Sequence, residues 1–528
     1  MESDAGFDDL HHAHTGVSIV MKRRDFIKST FVLSAFGTQI PVLALGRKNQ
    51  FGRRVQWETD RIVVLIKLNG GNDGLNTVVP IQDSIYYNNR PSLAISPNQA
   101  LAINEENGFH PNLSAFHSLY QSGNMSLIHG IGYPQPNLSH FRSSDIWVTG
   151  SDANEHLQTG WIGRLLEQEY PDFPSNAPDH PLAIQFNSAN LLEFKTSESN
   201  TGMMVFDPET MYYLINGQYV PGENDPAPDT YGGEELDFIR EVDLLSFEYA
   251  EVINETASQG SNSVEYPGTN LGYQMALTAQ MISGGLETPI YRIYKHGFDT
   301  HAIQGNNHAN LLSDLNNSIQ AFVEDLTNQG LMDRVMVVTT SEFGRRFFEN
   351  GSTGTDHGSA APCMVFGSQV VPEMFGEQPS LSNLDQNNNL FIQHDFRQLY
   401  TSIITDWFGL DTEISTNVFG QQFVTIPFVQ TPLSVRTTPI PAKFKMHPAI
   451  PNPFNPSTML SYTLPNNGNV TIRLLDLRGH VLKTHPLGKQ NAGRNIFKLD
   501  GRNLASGSYI AQVEAAGAVL NQKITLLK

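Results

Sequence analysis

The first long apolar run, Arg61-Ile62-Val63-Val64-Leu65-Ile66-Lys67-Leu68, shows no polar alternation and is rich in β-branched residues. That pattern predicts a strand buried on both faces. Met125 to His129, Ile290 to Tyr294, Val335 to Thr340 and Pro362 to Phe366 predict further core strands. Between them, apolar residues fall at helical spacing over Leu113 to Gln121, Glu235 to Ile253, Leu271 to Ile282 and Ala309 to Leu326. Strands alternating with helices predict one large α/β domain over residues 57–430, a parallel-rich sheet with helices on both faces. The segment 180–235, rich in Asn, Pro and Gly, reads as an irregular insertion or cap.

After Gln430 the pattern changes. Residues 431–451, with Pro432, Pro439, Pro441, Pro448 and Pro451, read as a semi-extended linker. Period-two alternation then recurs in Met459 to Leu464, Val470 to Asp476, Ser508 to Val513 and Asn521 to Leu526. Residues 452–528 are therefore expected to form a small all-β sandwich. At the other end, Met21-Lys22-Arg23-Arg24-Asp25-Phe26-Ile27-Lys28 leads into the apolar Phe31 to Phe36. A basic start followed by a short apolar stretch describes an export signal within residues 1–46, too short for a membrane anchor. Met21 is an alternative initiator, with residues 1–20 as an upstream extension.

Composition narrows the function. With 33 Lys+Arg against 53 Asp+Glu the formal charge is −20, which disfavours nucleic acid as a partner, since phosphate binding needs clustered cations. At 16% charged and 39% hydrophobic residues, the chain is neither a disordered polyelectrolyte nor a membrane bundle. The lone Cys363 excludes an internal disulfide or a cysteine zinc cluster. Seventeen histidines leave a His/Asp/Glu metal site open.

The candidate ligands share one position. Asp73 follows the first strand in Gly70-Gly71-Asn72-Asp73-Gly74; Asp299 and His301 follow another, with His308 further on. Glu342 follows a third, and Asp356-His357-Gly358 precedes the last. In a parallel sheet these groups converge on one rim, where ligands gather. Carboxylate oxygens with imidazole nitrogens suit zinc first, with manganese or calcium as alternatives, and one or two ions. Each group also has a plain structural reading: Asp73 as a turn residue, Asp299 and His301 as helix caps, Glu342 with Arg345 as an ion pair. Ser139-His140-Phe141-Arg142-Ser143 opens a predicted helix. There Ser139 or Ser143 is the candidate nucleophile and Arg142 a clamp for an oxyanion, although caps are the simpler reading of both serines.

Several motifs carry resemblances. Arg23-Arg24 with its flanks resembles a twin-arginine signal. Asn452-Pro453-Phe454-Asn455-Pro456, Asp476-Leu477-Arg478-Gly479 and Leu504 to Tyr509 resemble the type A sorting domain of type IX secretion. Gly70 to Asn76, Phe298 to Gln304, Thr340 to Arg345, Asp356 to Gly358, and Asp395 to Tyr400 with Trp407 to Leu410 resemble the twin-arginine-exported domain of unknown function 1501, grouped with sulfatases and alkaline phosphatases. That resemblance implies an alkaline-phosphatase-like fold with a rim of metal ligands. It places Asp73 at one metal, Asp299 with His301 or His308 at the other, and His357 as a late ligand. The superfamily's Asp-His stands here as Glu342-Phe343, so Glu342 can bind metal while Phe343 cannot, and Asp356 is the substitute. Cys363 lacks the Cys-x-Pro-x-Arg context, which disfavours a formylglycine sulfatase.

The expectation is therefore a metal-dependent hydrolase of phosphate or sulfate esters, acting on a small-molecule or polysaccharide ester. It would use the twin-arginine and type IX machineries to reach the outer surface of a Gram-negative bacterium or the medium, with no transmembrane segment in mature form. The alternative is a non-catalytic surface binding protein that keeps the fold.

Overall fold

The computed structural model describes residues 59–205 except 175, 176 and 187–190, residues 245–430 except 247, and 444–527 with short gaps. The expected signal (1–46) lies outside the described residues, as does most of the 431–451 linker.

The described strands of the large domain are β1 (Ile62–Asn69), β2 (Val78–Pro80), β3 (Leu101–Ala102), β4 (Asn107–Phe109), β5 (Met125–Gly132), β6 (Ala183–Phe186), β7 (Gly202–Val205), β8 (Ile290–His296), β9 (Val335–Thr340), β10 (Ala361–Phe366), β11 (Met374–Phe375) and β12 (His394–Asp395). Nine of them form one sheet in the order β11-β5-β10-β9-β1-β8-β6-β7, with β12 also on β5. All its pairings are parallel except those of β10, which runs antiparallel to both β9 and β5.

The continuous apolar run of β1 follows from its central place. Val64, Ile66 and Leu68 enter one core while Val63 and Leu65 enter the other. The first core is closed by helices Ser114–Gln121, Asn270–Ser283 and Gln304–Asn328, and the second by His140–Thr149, Trp161–Glu169, Phe396–Ser402 and Thr412–Phe419. Each fully buried Val, Leu or Ile contributes roughly 1.5–3 kcal/mol over its exposed state. The expected sheet with helices on both faces is what the chain forms.

Two expectations need correction. The 180–235 segment is not wholly an insertion: β6 and β7 lie within it and extend the sheet beyond β8. At four residues each they are too short to show a period. In the C-terminal domain, β14 (Ser457–Leu464), β15 (Gly468–Leu475), β18 (Gly507–Ala515) and β19 (Ala518–Leu526) match the expected strands, but β16 (Val481–Gln490) and β17 (Gly493–Asp500) join them. One sheet carries β13 (Lys445–Met446, within the expected linker), β14 and β17 in that order, and the other β16-β15-β18-β19, around Leu460, Tyr462, Ile472, Leu474, Val513 and Ile524. Val481 to Lys483 are all exposed, so β16 gives no apolar alternation to read.

Candidate functional site

Five segments meet at one rim of the sheet. The carboxyl ends of β1, β5, β8 and β9 lead to Gly70, His140, Asp299 and Glu342. Because β10 is antiparallel, its amino end lies at the same rim and brings His357 there. Gly70 allows the approach: at φ +124°, a Cβ on it would stand 2.2 Å from the Asp299 nitrogen.

Asp299 is the hub. Its Oδ1 lies 3.4 Å from His140 Nε2, 3.2 Å from His301 Nε2 and 3.4 Å from His357 Nε2. His140, Asp299 and His357 place ligand atoms all within 4.8 Å of one another, and His301 Nε2 lies 2.9 Å from His357 Nε2. A tetrahedral ion with bonds of about 2.0–2.1 Å separates its ligands by about 3.3–3.4 Å, so these spacings need little adjustment.

The other ring nitrogens are tied down. His140 Nδ1 lies 2.9 Å from Glu342 Oε1, His357 Nδ1 lies 2.8 Å from the Leu138 carbonyl, and His301 Nδ1 lies 3.3 Å from Asp356 Oδ1. A carbonyl only accepts, so His357 carries its proton on Nδ1 and turns a lone pair toward Asp299. An ionised Glu342 fixes His140 the same way, and His140 Nε2 is buried with no hydrogen-bond partner. Lone pairs facing a carboxylate oxygen repel unless a cation or proton lies between them. The residues therefore fit a divalent ion, with Asp299, His140 and His357 as ligands and His301 beside them.

The electrostatics agree. Burial opposes ionisation of Asp299, but the Arg345 guanidinium, donating to Oδ1 at 2.7 Å, holds its carboxyl at about 2. Arg345 cannot serve substrate, since it also donates to the carbonyls of Gly70, Gly71, Phe298 and Thr355 and locks the rim loops together. The hydrogen bond to Glu342 raises the His140 pKa against the effect of burial, whereas burial lowers that of His357. Glu342 is kept ionised, despite burial, by His140 and the buried Lys67.

The structure thus brings together Asp299, His301 and His357 of the expected ligands. Glu342 and Asp356 stand behind His140 and His301 as their hydrogen-bond partners, not in the ligand set. Asp73 is elsewhere. Its two oxygens pair with Arg90 at 2.6 and 3.0 Å, and Gln304 donates to it as well. All five Arg90 N–H groups are used, the rest going to Asn76 Oδ1 and the carbonyls of Phe347 and Arg346. Neither partner is solvent-exposed, and Arg90 already supplies the positive charge that an ion would bring to Asp73. Burial acts to raise the Asp73 pKa, yet Arg90 holds it below the usual range. His308 is buried behind this pair on Asn72 Oδ1.

The expected nucleophile region divides similarly. Ser143 is buried, donating to the Glu342 carbonyl and accepting from Tyr133. Arg142 donates to the carbonyls of Asp152, Ala153 and Glu155 and so pins the loop after its helix instead of clamping an oxyanion. Ser139 is exposed at the helix start, makes no capping bond and directly precedes His140. His140, which belongs to this cluster, was not among the expected ligands. Its signal was its place in Ser139-His140-Phe141, just beyond β5. Phe343, which as expected offers no ligand atom, lies with its ring tilted against two imidazoles, 4.8 Å from His140 and 4.5 Å from His357.

Residues 239–423 match the model of a family described as a protein of unknown function (DUF1501), and residues 449–526 match a secretion system C-terminal sorting domain. No curated protein matches the chain. The fold is similar to a protein of the alkaline phosphatase superfamily from Vibrio parahaemolyticus, with 11% identity, TM-score 0.29, and 87% of this chain and 80% of that one covered. It is also similar to a phosphonate monoester hydrolase from Silicibacter pomeroyi, with 9% identity, TM-score 0.31 and 88% and 89% covered. A sulfatase from Pseudoalteromonas gives 11% identity, TM-score 0.31 and 83% of each chain covered. At such identities the chemistry has to be argued from the site. The C-terminal sorting domain expected from the sequence is present, and no helix among the described residues is long and apolar enough to cross a membrane.

Proposed function

We propose that the rim cluster binds one divalent cation and that the chain is an exported, metal-dependent hydrolase of phosphate or sulfate esters. The observation that carries this reading is the convergence of three imidazole Nε2 atoms on Asp299 Oδ1, each with its Nδ1 already tied to a carboxylate or carbonyl. Carboxylate–histidine pairs of this kind orient metal ligands and raise their basicity. A nitrogen-rich donor set favours zinc over calcium, which takes oxygen. One ion is expected because Arg90 already neutralises Asp73.

Bound there, a zinc ion would polarise an ester oxygen and lower the pKa of a coordinated water. The chain supplies the rest. Glu342, Asp356 and the Leu138 carbonyl fix the ring orientations. Phe343 walls the site against water on the side of His140 and His357. The attacking group is a water or the exposed Ser139 hydroxyl at the helix start, where the N-terminal dipole favours an anion. Export would follow the twin-arginine route with the ion in place, and the sorting domain would then carry the chain to the surface or beyond.

The test is metal content by elemental mass spectrometry on the full chain, purified without chelator or affinity metal. About one zinc or manganese per chain is expected, falling to near zero in His140→Ala and Asp299→Ala. A metal-free, folded wild type overturns the reading. The close packing of Phe343 also suits a second reading, in which the ion only ties the rim loops of a binding protein together. Failure of the loaded protein to release phosphate or sulfate from any ester would favour that one.

A further inference from the structure

Lys67 stands two residues before the end of β1 and is only 3% exposed. Lysines are rarely buried unless paired, yet among the described residues no carboxylate lies within ion-pair distance of this one. Its hydrogen bond goes to Ser144 Oγ, at 2.6 Å. An ammonium so placed has lost most of its water with no ion pair in exchange, and burial accordingly lowers the Lys67 pKa. Glu342, Glu193 and Asp145 oppose that effect from further away, and Arg292 adds to it. A lysine that gives up its proton more readily than usual can serve as a base.

Ser144 departs from the other helical hydroxyls. Ser118, Thr149 and Ser402 each donate to the carbonyl four residues back, a common arrangement inside a helix. Ser144 makes no such bond, and its oxygen is turned to Lys67. It lies four residues after His140 in the helix His140–Thr149, so the two share a face with about 5–6 Å between Cβ atoms. Ser143 Oγ and Trp147 Nε1 both donate to the Glu342 carbonyl and hold that helix to the rim loop after β9. Ser143 is wholly buried, whereas Ser144 is partly exposed. A hydroxyl open to solvent thus has a buried amine behind it at hydrogen-bond distance and the candidate ion site one helical turn away. That is the arrangement of a nucleophile and its base.

We infer that Ser144 is a nucleophile with Lys67 as its general base, so that the ester is cleaved in two displacements. In the first, a bond forms from Ser144 Oγ to the phosphorus or sulfur as that atom's bond to the leaving oxygen breaks. The hydroxyl proton passes to Lys67 Nζ and from there to the leaving oxygen. In the second, water attacks the same atom, a proton returns to Ser144 Oγ, and phosphate or sulfate is released. Water therefore enters only in the second step, and Ser139 in neither. This rests on the hydrolase reading for its ester, but Lys67 activates Ser144 without the ion, and the test uses that difference.

The full chain, chelated and zinc-loaded, is treated with a biotinylated alkyl fluorophosphonate, and the modified residue is found by tandem mass spectrometry of its peptides. Bond formation from Oγ to phosphorus expels fluoride, and the proton leaves through Lys67 to solvent. Ser144 should carry the label in both samples, at a rate that rises with pH as Lys67 loses its proton. Lys67→Met should slow labelling about 100-fold or more. Lys67→Arg keeps a charged donor but yields no proton, so it should not restore the rate, as it would if Lys67 only positioned the hydroxyl. Circular dichroism checks the fold of both variants; should either fail to fold, the position and pH dependence of the wild-type label still decide. No label, a label on Ser139 instead, or a Ser144 rate indifferent to pH and to Lys67 overturns the inference, even in a chain that binds zinc and hydrolyses esters. A chain that takes up no zinc but is labelled at Ser144 through Lys67 would sink the metal reading and leave the pair standing.

Discussion

Glu342 lies behind His140, and its position changes what the residue does. Its Oε1 accepts from the Gly70 nitrogen at 2.8 Å and faces His140 Nδ1, while the side chain is wholly buried. Acting through an imidazole, it sets a tautomer and a basicity without touching an ion. Glu342→Gln keeps the shape but removes the charge that pairs with His140. Zinc affinity, read by competition with a chromogenic chelator, should fall about 10–100-fold, the usual cost of losing such a partner. The far-ultraviolet circular dichroism should not change. Unaltered affinity would show that Glu342 is only a loop anchor. Residue type alone could not make this distinction, because Glu342 and Asp356 carry the same oxygens as a ligand and stand at the same rim. Asp73 was harder still. Its partner Arg90 lies in Asn89-Arg90-Pro91, a stretch with no motif, and only folding brings the guanidinium to it. Such a buried pair is expected to fail when broken on one side, at a cost of about 3–5 kcal/mol.

Elements, not single residues, decide which side chains meet at the rim. His357 precedes a strand while Asp299 follows one, so they share a rim only because β10 runs against its neighbours. The apolar run of β10 was legible, but its direction was not, since a strand buried on both faces reads alike either way. The same holds for His140: β5 was expected, yet nothing local states that it sits beside β10 and delivers its following helix to the cluster. The glycine-rich turn after β1 was legible as a turn, and its packing explains the glycine. Any Cβ at Gly70 collides with the Phe298–Asp299 backbone, so Gly70→Ala must push the β8 loop, and Asp299 with it, away from the histidines. Gly330→Ala is the control, because Gly330 has φ +71° and open space around it. It should cost only the left-handed backbone term, about 1–2 kcal/mol. Gly70→Ala should cost clearly more in urea unfolding and also lose bound zinc. Equal costs with zinc retained would mean that the approach of the two loops does not set the site.

For the whole molecule, three buried histidines outside the cluster couple stability to pH. His110 and His308 lie near the Asp73–Arg90 pair with ring centres 6.2 Å apart, and His129 is inside β5 with Nε2 unpartnered. Burial lowers each to about 4 from an ordinary value near 6.5. The sign follows from which state binds protons. With the folded pKa depressed, these rings stay neutral in the native chain, and between about pH 6.5 and 4 the unfolded chain takes up protons that the native one refuses. Stability is therefore full above pH 6.5 and is lost as pH falls toward 4, at up to about 1.4 kcal/mol per unit for each ring. Carboxylates held low, such as Asp299, add their losses only below about pH 4. Of the four tryptophans, Trp147, Trp161 and Trp407 are buried in the second core and none falls in residues 431–528, so the change in intrinsic fluorescence reports the opening of that core and not of the C-terminal domain. Urea midpoints at pH 7.5, 6 and 5 should fall steadily, in chelated protein as well as in zinc-loaded protein. His129→Leu, which replaces a ring whose Nε2 has no partner, should remove about a third of the slope. A flat profile between pH 7.5 and 5 in the chelated protein would show that these histidines accept protons without opening the core. Any acid sensitivity confined to the loaded protein would then belong to the release of the ion at Asp299.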